Sequence, residues 1–156
     1  MNNTLKLIIA VAIPLVVGGT SGFFTVAGVE SWYQAINKPS WNPPNWVFGP
    51  VWTSLYILMG VALFLVWKAD TSAELKKIAV GLFAIQLLLN FCWSFIFFYL
   101  QQPGCAVVEL AALWLFILLT IFAFAQVNKT AAWLLVPYIS WVSFAGILNY
   151  TIWKLN

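Results

Sequence analysis

The chain of 156 residues has no histidine, no arginine and only four acidic residues. Without histidine there is no Ser–His–Asp or Cys–His system, and the scattered acids Glu30, Asp70, Glu74 and Glu109 form no carboxylate pair for general acid–base work. Its basic residues are all lysines, placed near chain ends and between apolar runs, so no clustered basic surface is offered to nucleic acid. Cysteine is scarce too: Cys92 and Cys105 show no CxxC spacing, which argues against a metal site or a disulfide framework. The missing histidine also removes the usual axial ligand of haem.

What is present is mostly hydrocarbon. Hydrophobic residues make up 63% of the chain and charged residues 7%, with a mean hydropathy of +0.95, whereas about a quarter of residues are charged in soluble domains. Five apolar runs, near 7–27, 46–67, 78–100, 104–125 and 131–153, each supply the roughly twenty residues that a helix needs to span a bilayer. The expected fold is an all-α integral membrane protein, one domain (1–156) forming a bundle of five transmembrane helices. The first run follows a single lysine and ends without a small-residue cleavage site, so a retained helix is expected rather than a signal peptide. Lys6, Lys68, Lys76, Lys77 and Lys129 fall on the face of the N-terminus, against Lys38 and Lys154 on the other. The positive-inside rule then puts the N-terminus in the cytoplasm, and the loop 28–45 and the C-terminus outside.

That loop is unlike a solvated connector. The stretch from Trp32 to Tyr56, which runs from it into the second apolar run, sets Pro39, Pro43, Pro44 and Pro50 among Tyr33, Trp41, Trp46, Trp52 and Tyr56. Proline fixes φ and removes backbone donors, so the segment is stiff and can hold aromatic rings in a set geometry. It reads as a lid over a site. At 1.5 Å of rise per residue, Trp52, Tyr56, Asn90, Trp93, Glu109, Trp141, Ala145 and Asn149 all fall in the outer half of the bundle. Trp52 and Tyr56 share a helical face, as do Gln86, Asn90 and Ser94, and again Trp141, Ala145 and Asn149. Polar groups within hydrocarbon face the bundle interior, so the pattern implies an aromatic cavity with a few amides and hydroxyls, open toward the outer leaflet.

Each residue also has a plainer reading. Trp46, Trp67, Trp133 and Trp153 suit the interfacial aromatic belt; for the deeper Trp52, Trp93 and Trp141, core packing and ligand contact are both open. Asn90 and Asn149 can tie helices together or serve the site. Glu109 can answer the dipole of its helix N-terminus or act in function. Gly18 and Gly22 form a small-xxx-small pattern for close helix packing, within the bundle or between copies.

The run Lys38-Pro39-Ser40-Trp41-Asn42-Pro43-Pro44-Asn45-Trp46, followed by Gly49-Pro50-Val51-Trp52 and Tyr56, resembles the signature of the translocator protein family, also called tryptophan-rich sensory proteins or peripheral benzodiazepine receptors. The similarity continues through Asn90-Phe91-Cys92-Trp93-Ser94, Pro137-Tyr138 with Trp141, and Leu148-Asn149-Tyr150 with Trp153. A bacterial member is implied. The resemblance implies binding of porphyrins, protoporphyrin IX in particular, and of drug-like ligands. It also implies light-dependent oxidative breakdown of the porphyrin, with Trp52 and Trp141 as the candidate catalytic residues. No resident cofactor is expected, the porphyrin being ligand or substrate and light and oxygen the other requirements; transport or sensing without catalysis is the alternative. The expected ligand-binding set is Tyr33, Trp41, Pro43, Trp52, Tyr56, Asn90, Trp93, Cys105, Trp141, Phe144, Ala145, Leu148 and Asn149, with no metal site. The expected partners are the lipid bilayer and, through the small residues Gly81 and Ala84, a second copy in a homodimer.

Overall fold

Asn2 opens the first helix by accepting a hydrogen bond from the Leu5 amide at 2.8 Å, the usual way to satisfy an orphan donor at a helix start. In the computed structural model, which describes residues 1–156, helix α1 then runs Asn3–Val29. The short α2 (Trp32–Ala35) sits in the connection to α3 (Asn45–Lys68). Ser72 caps α4 (Ala73–Ser94), with Glu74 in the first turn where the helix dipole favours it. Pro103 starts α5 (Pro103–Val127) at a position where its missing N–H costs nothing. Asn128 caps α6 (Lys129–Leu134), and α7 (Val136–Leu155) completes the bundle. Counting α4 with its π-helical extension, and α6 with α7, as single spans, five helices are long and apolar enough to cross a membrane. The protein is an all-helical, multi-pass integral membrane protein.

Three local departures from the sequence expectation have physical causes. The loop expected over 28–45 begins later and contains the single turn α2, because Trp32 and Tyr33 dock on Phe97 and Phe98. The last span is broken at Leu135, since Pro137 has no amide to continue the hydrogen-bond ladder from α6. Helix α4 widens into a π-helical turn over Phe95–Tyr99, with the Leu100 amide reaching back to the Phe95 carbonyl at 3.0 Å. The wider turn lets the consecutive residues Phe97 and Phe98 both be buried.

Helices α1 and α3 run antiparallel and meet on glycine. A side chain at Gly60 would strike the backbone of Ala10 and Val11, and one at Gly18 would strike the Tyr56 ring. Below the lid end the core is tied by a buried polar chain. Tyr56 donates its hydroxyl proton to Asn90 Oδ1, Asn90 Nδ2 donates to the Tyr138 hydroxyl at 2.9 Å, and Tyr138 donates to Gln86 Oε1 at 2.8 Å. Three helices are thereby pinned in one register.

Candidate functional site

A cavity of about 570 Å³ opens at the lid end of the bundle, between α1, α3, α4 and α7. Two aromatic ladders wall it. In the first, Trp52 stacks on Tyr56 at 5.7 Å between ring centres and lies 6.5 Å from Trp93, which stacks in turn on Phe97 at 5.5 Å. In the second, Phe48 meets Trp141 edge-on at 6.1 Å and Trp141 lies 5.3 Å from Phe144. These spacings fall within the range in which aromatic pairs attract beyond their area burial.

The indoles differ in what they do with their N–H. Trp93 donates to Asn149 Oδ1 at 3.0 Å, and Asn149 in turn donates to the Pro103 carbonyl at 2.9 Å, so both side chains are held. Trp141 Nε1 is buried with no hydrogen-bond partner. A buried N–H without an acceptor is costly, and this one belongs to a residue lining the cavity. It is suited to a carbonyl or carboxylate of a bound molecule.

Of the expected set, Tyr33, Trp52, Tyr56, Trp93, Trp141, Phe144, Ala145, Leu148 and Asn149 line the cavity. The other four do not line it. Asn90 lies behind Tyr56 and spends both amide atoms on tyrosine hydroxyls, so it supports the wall rather than forming it. Trp41 covers Phe144 edge-on from outside, at 5.9 Å, with 45% of its surface exposed. Pro43 accepts from Asn42 Nδ2 within the lid, and Cys105 is exposed on the first turn of α5. Glu109 also lies off the cavity, on the buried side of α5 shared with Ala106, Leu110 and Leu113.

Sequence reasoning missed the whole contribution of α1. Gly18, Gly19, Ser21, Gly22, Thr25 and Val26 form one side of the cavity. Their small side chains at spacings of three and four were the available signal, read only as packing. Trp46, read as part of the interfacial belt, is 75% exposed and also stands at the cavity mouth.

The lid is fastened at two places. Tyr33 is buried against Phe97 and Phe98 and donates to Asn42 Oδ1 at 2.7 Å. Burial pushes its phenol up to about 12, against the opposing pull of the Asn42 bond. At the other place Asn37 and Asn156 exchange hydrogen bonds, Asn37 N to Asn156 Oδ1 at 2.9 Å and Asn156 Nδ2 to the Asn37 carbonyl at 2.9 Å.

This architecture can be set beside known proteins. The chain is 47% identical to the tryptophan-rich protein TspO of Chlorobaculum tepidum, over 97% of this chain and 96% of that relative. It is 44% identical to the human translocator protein over 80% of this chain and 75% of the relative, and 39% identical to the tryptophan-rich sensory protein of Cereibacter sphaeroides over 81% and 78%. The profile of the TspO/MBR family matches residues 10–154. With nearly its full length matched and its five spans in place, the chain belongs to the TspO/MBR family.

Proposed function

We propose that this protein binds protoporphyrin IX and other flat, drug-like aromatic molecules in the cavity, and promotes light-dependent oxidative breakdown of the porphyrin. The observation that supports the reading is the cavity itself. Its 570 Å³ falls within the roughly 300–1,000 Å³ of small-molecule sites, its walls are aromatic ladders, and its one buried unpartnered donor is an indole. Bound porphyrin supplies the absorption of light, with oxygen as oxidant. The chain's own residues stack on the ring, keep water from its faces, and offer in Trp52 and Trp141 easily oxidised indoles.

The wall also favours a second reading. Glu30 is its only charged residue, so no acid–base pair stands beside a ligand, as suits a carrier or sensor of tetrapyrroles without catalysis. In either case we place the protein in a bacterial cell membrane with the N-terminus cytoplasmic, and a second copy against the α4 face at Gly81, where an added side chain would meet nothing within 4 Å. Illumination of purified protein with protoporphyrin IX tests the first reading. A new product absent from free porphyrin and from heat-denatured protein is expected; bleaching identical to the free porphyrin would leave the binder.

A further inference from the structure

Helices α1 and α3 do not stay together along their length. Toward the inner end they touch backbone to backbone at Gly60, and a turn or more higher Gly18 lies under the Tyr56 ring. Beyond that level they part. A Cβ built at Gly19, Gly22 or Gly49 meets no atom within 4 Å, yet all three residues line the cavity. Val26, Trp46 and Thr53 line it as well and are exposed, Val26 by 57% and Trp46 by 75%. Residues that face the cavity and the exterior at once are the rim of an opening. It lies along the flank of two membrane-spanning helices, on the side where hydrocarbon would be, while the loop between α2 and α3 is fastened at the lid end through Tyr33 and Asn156.

From this geometry we infer that the slot between α1 and α3 is a lateral portal, through which flat apolar molecules dissolved in the bilayer enter and leave the cavity without passing the lid. The inference rests on the reading that the cavity takes such molecules. Glycine on both rims suits the task, since each omitted side chain widens a gap that no neighbour fills. The same glycines are not needed for packing, unlike Gly18 and Gly60, so larger residues can replace them in a folded chain. In a helix a side chain leans toward the N-terminus. A leucine at 22 would therefore lean inward, toward residues 18 and 19, and one at 49 outward, toward residues 45 and 46.

The test uses full-length protein in lipid nanodiscs with protoporphyrin IX as probe, comparing wild type with Gly22→Leu, Gly49→Leu and the control Ala111→Leu, an exposed position of α5 away from the cavity. A plugged portal slows passage in both directions. Association and dissociation rates are expected to fall together by about tenfold or more, within the spread seen among mutants of one site, with Ala111→Leu like wild type. Association should also track porphyrin per lipid, not the aqueous concentration, when lipid is varied. Wild-type rates in both rim variants, or a weakened affinity with unchanged association, would overturn the portal while leaving the cavity intact; absence of saturable binding to wild type would overturn the cavity reading and the portal with it.

Discussion

Tyr138 donates to Gln86 and accepts from Asn90, and Asn90 accepts from Tyr56, so four side chains are tied across three helices and only Gln86 Nε2 is left without a partner. Tyr138→Phe removes two of these bonds at once and leaves both amides short of a partner. Its cost should be about 1–3 kcal/mol, read as lower thermal stability in detergent, with porphyrin affinity little changed because Tyr138 does not line the cavity. Ala145 is the opposite case, a wall residue between Trp141 and Asn149. Ala145→Thr should weaken isoquinoline carboxamide ligands by roughly 1 kcal/mol or more through crowding, measured by competition in folded protein. Unchanged affinity would place such ligands elsewhere. The two tryptophans named from the sequence separate in the same way. In the Trp52→Phe, Trp141→Phe double variant the rings still stack, each contact contributing about 0.5–1.5 kcal/mol beyond burial, but these two easily oxidised indoles are gone. Light-driven decay at saturating porphyrin should fall while dark binding largely survives; saturated decay equal to wild type would remove both from the chemistry.

At the level of elements, five spans could be read from hydropathy because their signal is local and summed over some twenty residues each. The aromatic wall could be read because Trp52 and Tyr56, or Trp141 and Ala145, mark one helical face by spacing alone. The wall built by α1 could not, because Gly22 and Thr25 carry no such mark, and a glycine that touches a neighbour looks the same in sequence as one that faces a gap. Asn90 was expected on the cavity wall, but spacing does not reveal that it lies behind Tyr56, whose hydroxyl it accepts from. The π-helical turn was invisible for a similar reason, since it answers the docking of Trp32 and Tyr33 from a distant part of the chain. That docking is testable by pH. A phenol held above its ordinary value of 10.0 is bound in its neutral form, so its contribution is complete below pH 10 and is lost as pH climbs toward about 12. Lid order, followed by tryptophan fluorescence, should be level from neutral pH to pH 10 and fall only above it. Tyr33→Phe should abolish that fall, because the ring still packs but nothing titrates.

For the whole molecule, the fold leaves orientation open, because a helical bundle can sit in a bilayer either way up and only its flanking charges choose. Five lysines border the end that carries Asn3, and two border the lid end. Each lysine on the wrong side adds to the cost of inversion, so the imbalance favours a cytoplasmic N-terminus and an external lid. The sense of the lid also decides which leaflet feeds the slot between α1 and α3, since the helices part only toward that end. Cysteines placed at Asn3 and Gln34, both exposed, can report it in a background where Cys92 and Cys105 are replaced by alanine. An impermeant maleimide added to intact cells should label position 34 and spare position 3 until the membrane is opened. The reverse pattern would turn the molecule over, put the lid in the cytoplasm, and make the inner leaflet the source of whatever enters the cavity.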